Sequence, residues 1–584
     1  MKLGPRVRTP SPSQGERRGE GRTHKPLQIF TLTQPSPPRG RGLYTRSFAE
    51  ITAFAGCALL VLSIGVGAAL GDPGAPGPEL NAADLSRRVD ALGQRVDELA
   101  SDGPGAPGLD SLYFGWFDRP YARATLATLV KASAVLQREV RLRKAGNGAI
   151  PAPTLGAMLH WAEDAIDRVL ADEPDPRFRP HRVRVTANDI ADGSAPPLFA
   201  FLDRASATRL HPVFGDLDLL AAVGQRVYVR DATDPADAAN LKTLIRRAEF
   251  LGITVVDVLP KRGASETAIP APTTPIANLL RVQPLTILDL LTSMAPGSKT
   301  DYPAIADPIG GEYWPSRVAR RALPRGVFGS RRCAVCSWNA DSINRSPAES
   351  GRSAAALWVD VLEGVSLAVA DGWRDLRDGS GSASPSIMTR PDEIESLART
   401  SLDLLRFVDS IRSFENARPV LIAVPMEAVD DLDPNKWAGW IEPFFAALVG
   451  RQIAFDVVAE ASNRKLSGSR YPVVFPLKRA DTENLNMTIV RLERELAAVE
   501  GFANRQTVRT LDGSFPPDLY VRAGGLGDRI DQIAVVNLSG SSRELKLTGG
   551  ASVRLRDVLS GTLTIGRDGQ FTIGPWQACL FRPR

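Results

Sequence analysis

The chain has 584 residues, 43% of them apolar and 23% charged, with 71 Lys+Arg against 66 Asp+Glu. That length implies three to five structural units, and the composition excludes a small disulfide scaffold, a wholly disordered chain and a polytopic membrane protein. The net charge of +5 is uneven: residues 1–47 carry ten Lys/Arg and two Asp/Glu, so the remainder is close to −3, and the basic balance describes a tail rather than a nucleic-acid-binding face.

Residues 1–47 are rich in Pro, Gly, Ser and Arg and lack hydrophobic periodicity, which predicts a disordered basic tail. Within it, RTPSPSQGERRGEGR and LTQPSPPRGRG look alike, as translated non-coding repeats upstream of a true start do. Residues 48–71 hold ITAFAGCALLVLSIGVGAAL (Ile51–Leu70), twenty residues without a charge, with Arg46 on the amino side. At 1.5 Å per residue such a helix spans roughly 30 Å, the thickness of a hydrocarbon core. Either an uncleaved signal anchor or a signal peptide cut near Ala68–Gly71 exports the rest of the chain. The expected location is the cell envelope or extracytoplasmic space, with the chain anchored in the cytoplasmic membrane through residues 51–70 if they are uncleaved. Cys57 lies too early in the apolar run for a lipidation site.

Residues 72–110 form a linker with a short coiled-coil pattern. Leu85, Val89, Leu92, Val96 and Leu99 alternate at four and three, a seam of about two heptads. Both a self-associating stalk and a helix packed on its own domain fit it, and homo-oligomerisation stays open. Residues 111–190 predict helices, with 3.6-residue apolar spacing in TLATLVKASAVLQREVRL and TLGAMLHWAEDAIDRVLADE.

From residue 191 to 412 short β-rich runs alternate with helical ones, as in a mostly parallel sheet. About seven strand candidates, and no Gly-rich phosphate loop between a strand and a helix, suit a (β/α)8-type barrel better than an open nucleotide-binding sheet. Acids or Trp close nearly every strand candidate: Asp203, Asp231, Asp307 with Glu312, Trp338 with Asp341, and Trp373 with Arg374 and Asp375. In a barrel the carboxyl ends of the strands form one mouth, and carboxylates beside indole rings suit a sugar. Asp also caps helices and Trp also packs, so each residue alone has a purely architectural reading. Cys333 and Cys336 form a CxxC inside a strand, without the second pair a zinc site needs, and read as packing residues. No metal or cofactor is expected.

Residues 413–508 alternate again (VLIAVP, IAFDVVAE, PVVFPL) and predict a flavodoxin-like α/β domain. Residues 509–584, with turn signals in NLSGSS, TGGA and RDGQ, predict an antiparallel β-sandwich.

LEGVSLAVADGWRDLRDGSGSA, with the Trp373–Arg374 pair, resembles the last barrel strand of family 42 β-galactosidases and their (β/α)8 clan of glycoside hydrolases, and RSPAESGRSAAALWVDVLEG resembles the preceding helix. The segments around RPVLIAVP and AVVNLSGSSRELKL resemble that family's following α/β and terminal β domains. The resemblance implies a glycosidase acting on poly- or oligosaccharides with two carboxylates. Carried onto this chain, Glu312 is the catalytic candidate with Asp307 and Asp341 beside it. Asp203, Asp231, Trp338, Trp373 and Arg374 are the substrate-binding candidates. The family's Asn-Glu acid/base pair is missing from the barrel region. If RCAVCSWNAD is strand seven, its end holds no Glu. A catalytically inactive barrel serving as a glycan-binding or surface scaffold is therefore the alternative.

Overall fold

The structure is a computed structural model that describes residues 81–101, 119–172, 197–203, 219–221, 225–231, 253–258, 335–338, 351–365, 367–371, 389–416, 418–424, 441–459, 471–478, 484–499, 505–524, 532–549, 554–566 and 568–583, with single positions 248, 251, 481 and 502. The apolar segment 51–70 lies outside these. Among the described residues no helix is long and apolar enough to cross a membrane.

Three helices come first: α1 (Ala82–Ser101), α2 (Pro120–Lys144) and α3 (Ala152–Ala171). Proline sits in the first turn of α2 and as the N-cap of α3, where a missing N–H costs nothing. Gly146, with φ +76°, ends α2 in the left-handed conformation, and the Asn147 N–H returns to the Leu142 carbonyl at 2.8 Å. The buried carboxylate of Glu139 then accepts the N–H groups of Ala149 and Ile150 at 2.7 and 3.0 Å, which fixes the turn into α3. The seam of α1 is buried along its whole length, from Leu85 to Leu99, against α2 and α3. Those apolar positions are covered within this chain.

Five parallel strands come next: β1 (Leu198–Asp203), β2 (Val227–Asp231), β3 (Thr254–Val258), β4 (Val335–Trp338) and β5 (Leu367–Asp371). Their spatial order is β3-β2-β1-β5-β4, and every pairing is parallel. The first strand thus lies between the second and the last. Between β4 and β5 runs α4 (Arg352–Leu362), and after β5 come α5 (Pro391–Arg406) and α6 (Val408–Asn416). Helix α5 packs on α2, α4 and β1. One buried apolar cluster joins α1, α2 and α3 to Phe199, Ala368, α4 and α5, so the helices before residue 190 share a core with the sheet.

A second, three-stranded parallel sheet has order β7-β6-β8, made of β6 (Val420–Val424), β7 (Phe455–Ala459) and β8 (Val473–Pro476), with α7 (Ile441–Gly450) and α8 (Leu485–Ala497). β6 is buried at all five positions, as a central parallel strand covered on both faces must be. Phe444 stacks on Phe475 at 5.9 Å, and Phe445 meets Phe455 at 4.9 Å.

The chain ends in two antiparallel sheets. One holds β10 (Leu519–Ala523), β11 (Ile533–Asn537), β16 (Ala578–Pro583), β13 (Leu555–Asp557) and β14 (Thr564–Ile565). The other holds β15 (Gln570–Ile573), β12 (Arg543–Thr548) and β9 (Thr507–Thr510). Val508, Leu545 and Phe571 from the smaller sheet and Val535, Leu555 and Phe581 from the larger share one core, so the sheets face each other as a sandwich.

Arg418, immediately before β6, joins three of these parts. Its guanidinium is almost fully buried and lies 3.0 Å from Asp456 of β7 and 3.6 Å from Glu363, the residue after α4. It also donates to the carbonyls of Phe455 and Glu363. The Tyr520 hydroxyl of β10 donates to Glu363 at 2.6 Å, and that of Tyr471 to Asp456 at 2.5 Å. Removing the cation leaves the buried Glu363 and the half-buried Asp456 without it. Arg418→Met is therefore expected to lower unfolding stability by about 3–5 kcal/mol, and Tyr520→Phe by about 1–3 kcal/mol, in urea titrations of the full chain. Unchanged midpoints would contradict this account of the junction.

Candidate functional site

The parallel sheet gathers the sequence-derived candidates at one edge. Asp203 is the last residue of β1, Asp231 of β2, Trp338 of β4 and Asp371 of β5. β1 (LFAFLD) and β2 (VYVRD) are aromatic or β-branched runs that end on an acid, whereas β5 (LAVAD) reaches its acid through small apolar residues. Because all five strands are parallel, these ends lie on one side of the sheet, on neighbouring strands about 4.8 Å apart.

The register refines this grouping. Asp203 pairs with Arg230 and Leu202 with Asp371, while Trp338 pairs with Ala370 and Arg230 with Asp257. Paired positions share a face, and faces alternate by two. Phe199 and Ala368 pair and belong to the core shared with α4 and α5. Counting from them, Asp203, Asp257 and Trp338 occupy positions on the helix-covered face. Asp231 and Asp371 occupy positions on the opposite face with Leu198 and Ala200. The edge therefore presents two sets of polar positions, one over each face.

Glu312, Asp307, Asp341, Trp373 and Arg374 lie outside the described residues. Of the eight sequence candidates the structure places Asp203, Asp231 and Trp338 at this edge, on two faces, beside the strand-end Asp371. Its signal was in plain view, since LAVAD ends on that acid just as PLFAFLD ends on Asp203.

Helix α4 connects two adjacent parallel strands, so it runs antiparallel to them and its amino end lies at the same side of the sheet as the strand ends. The amino end of α5 adjoins it. There Gly351, with φ +89°, precedes α4, and its N–H donates to Glu393 of α5 at 3.1 Å. Glu393 acts as a cap supplied by a neighbouring helix. Its side chain is 2% exposed, and its second oxygen, Oε2, has no hydrogen-bond partner. Arg390 makes a two-pronged contact to Asp392 at 2.7 and 2.9 Å and stands 3.5 Å from Glu393. Burial, with the neighbouring Asp392 charge, pushes the Glu393 carboxyl up to about 7, against the opposing pull of Arg390 and Ser353. A first-turn Glu after Pro391 reads in sequence as a solvated partner of the helix dipole, so nothing local announced its burial.

Trp576, in the turn between β15 and β16, covers this end. Its ring lies under the Arg352 guanidinium at 5.6 Å, and its Cβ is 3.5 Å from where a side chain on Gly351 would begin. The residue is buried and has φ +52°, a conformation that bulky side chains rarely adopt.

Among the described residues no group of three His, Cys, Asp or Glu is placed to hold a metal ion. Cys336 lies in β4, Cys333 lies outside the described residues, and Cys579 is buried in the sandwich, where burial pushes its thiol up.

No family model matches the chain, and no curated protein matches it. Among solved structures it is similar to an apo exo-carrageenase of family GH42 from Bacteroides ovatus at 10% identity and a TM-score of 0.37, covering 86% of this chain and 100% of that one. It is also similar to a polyextremophilic β-galactosidase from the Antarctic haloarchaeon Halorubrum lacusprofundi (12% identity, TM-score 0.22, 86% of this chain and 83% of that one). A third is a cold-adapted β-galactosidase from Rahnella sp. R3 (9% identity, TM-score 0.23, 87% and 82%). Overlaps of this quality transfer no residue roles.

Truncating Trp576 tests the local account. Trp576→Ala is expected to cost about 3–5 kcal/mol in denaturant unfolding. Trp576→Gly is expected to be the more stable of the two by about 1 kcal/mol, because glycine adopts φ +52° without the left-handed penalty. The reverse order would remove the strain from the explanation.

Proposed function

We propose that the chain is an exported glycoside hydrolase-like protein whose parallel strands are staves of a (β/α)8-type barrel, acting on poly- or oligosaccharide glycosides with two carboxylates. The winding supports the barrel. The steps β1 to β2, β2 to β3, β4 to β5, and the pairing of β5 back to β1, all progress in one direction across the sheet. Right-handed crossovers that never reverse direction put every helix on one face. The other face then has no layer to cover Leu198 and Ala200 unless the sheet closes on itself. Strand starts lie 29, 27 and 32 residues apart for β1–β2, β2–β3 and β4–β5, and 81 residues separate the starts of β3 and β4. An interval of that length has room for two further units at the observed spacing, and for three only if the units are shorter.

The observation that carries the functional reading is that Asp203, Asp231, Trp338 and Asp371 share the carboxyl edge, where barrel enzymes place their chemistry, with Asp231 and Asp371 on the face that closure would turn inward. Glu312 is the proposed catalytic carboxylate, with Asp307 or Asp341 as the second. Trp338 and Trp373 are stacking platforms, and Asp203, Asp231 and Arg374 bind hydroxyls. A retaining pair needs carboxyl groups roughly 5–5.5 Å apart and an inverting pair about 6.5–9.5 Å, because the latter must admit a water. Residues 51–70 deliver the chain across the cytoplasmic membrane and tether it there if they are uncleaved.

The second reading, a silent barrel that binds glycans, is favoured by the missing Asn-Glu pair between residues 191 and 412. One set of assays separates the two. For the enzyme, the full chain hydrolyses aryl glycosides, and Glu312→Gln lowers kcat by a factor on the order of 10²–10⁴ while the fold is retained. For the silent barrel, glycan-array binding occurs without turnover and is weakened by Trp338→Ala. Absence of both turnover and binding would remove the carbohydrate reading altogether.

A further inference from the structure

Helix α5 carries two buried acids, Glu393 and Glu395, and a half-buried one, Asp403, and their surroundings differ. Glu395 is met by four donors: Thr125 Oγ1 at 2.7 Å, Trp161 Nε1 at 3.2 Å, Arg168 Nη2 at 2.7 Å and Arg399 Nε at 3.2 Å. Each of its oxygens accepts two of these bonds.

Glu393, at the amino end, is not matched in this way. Its Oε1 accepts the Gly351 N–H, while Oε2 is buried without a partner at the contact between α4 and α5. The charged and polar groups around it are Arg390 and Asp392 on its own helix, with Arg390 already held by Asp392, and Ser353 on α4. A buried ionised carboxylate with an orphaned oxygen is costly, and a protonated one is cheaper.

Asp403, near the carboxyl end, lies where α5 meets α2. The Tyr121 hydroxyl of α2 donates to it at 2.5 Å, and Arg406 also reaches the Tyr121 oxygen at 3.4 Å. Loss of hydration at the half-buried Asp403 outweighs its favourable neighbours, the Tyr121 hydroxyl with Arg406 and Arg399 of its own helix, and Asp557 of β13 adds to that loss. Burial pushes Asp403, like Glu393, up to about 7.

We propose that α5 is a proton-linked strut: Glu393, buried at its amino end against α4, and Asp403, half-buried near its carboxyl end against α2, hold protons in the fully docked helix, and their ionisation loosens α5 from both neighbours. Protonated, each carboxyl sits in its interface as a neutral group. Ionised, each must recover hydration by opening the helix contact or be endured as a buried charge. Since the Glu393 contact lies at the strand-end side of the parallel sheet, the loosening reaches the amino end of α4 and Trp576 above it. The proposal stands whether or not that edge turns over a glycoside.

The direction of the pH effect comes from linkage. Both groups bind protons more tightly folded than unfolded, so their contribution is present in full below the ordinary carboxyl range, near 4, and is lost as pH rises through about 7. The folding equilibrium constant of the full chain is expected to fall from pH 5 to pH 8 by on the order of tenfold or more per carboxyl. Glu393→Gln and Asp403→Asn should each remove part of that fall, and the double variant both parts. Retention of the wild-type slope in the double variant overturns the proposal. A measurement on the unmodified protein guards against variants that do not fold. After correction for intrinsic exchange rates, the α5 amides should lose hydrogen-exchange protection between pH 5.5 and pH 8 while the sandwich strands β11 and β16 keep theirs. Equal protection of α5 at both pH values overturns it as well.

Discussion

One buried cation governs how the carboxyl-terminal half of this chain is assembled. Arg418 reaches Glu363 after α4, Asp456 in β7 and the carbonyls beside them, and Tyr520 of the sandwich joins the same carboxylate. A guanidinium removed from water holds its position only if its donors are matched by acceptors in a fixed fork geometry. The fork therefore admits few relative placements of the two parallel sheets and the sandwich. Hydrophobic burial alone would tolerate sliding between them, since apolar contact is non-directional. Around the same junction Arg522 donates to the Phe414 carbonyl at the end of α6 at 3.0 Å, and Gln532 and Arg582 bond Ser410 of that helix. The sandwich is fastened through polar side chains that each name a partner.

That fastening matters for the sheet edge. Glu363 lies between α4 and β5, and Gly351 with Trp576 lies at the other end of α4. The sandwich thus grips α4 at both ends, through Tyr520 and through Trp576. A helix held in this way cannot drift along the strands it covers, and the register that sets Asp371 beside Leu202 is kept with it. The positions of the strand-end acids are consequences of contacts made far from them.

Much of this architecture was legible in the residues. The strands PLFAFLD, RVYVRD and ITVVDVLP stand where alternation and β-branched content put them, and the acids at their ends mark the edge at which they stop. The two later units were announced by VLIAVP and by turn dipeptides at short intervals. The α1 seam was legible as a seam, although its partner was not. Two heptads fit a second chain or a neighbouring helix equally well, and only the apolar length of α2 and α3 decides between them. The faces of the sheet were not legible either. Strand ends named Asp203 and Asp231 alike, yet their positions fall on opposite faces because pairing is shifted by one residue from β1 to β2, which no property of either strand encodes. Glu393 and Asp403 were invisible for a related reason: periodicity locates apolar faces, and an acid on such a face shows only when the neighbouring helix is in place.

The three acids of α5 illustrate how burial acquires different meanings on one helix. Glu395 lies opposite α2 and α3, which supply a hydroxyl, an indole N–H and an arginine, and there the acid cross-links three helices. Glu393 lies opposite the amino end of α4, where the Gly351 N–H serves one oxygen, Ser353 favours the charge, and Oε2 stays without a partner. Asp403 faces a tyrosine whose hydroxyl is shared with Arg406 and a sandwich that brings a further acid, Asp557. Identical chemistry is thus a fastener at Glu395, in the second turn of the helix, and a proton-binding group at Glu393 and Asp403. The difference arises from how many donors the opposing element can aim at a single carboxyl, and helix termini and mixed-charge junctions aim fewer than a side-chain-rich helix face.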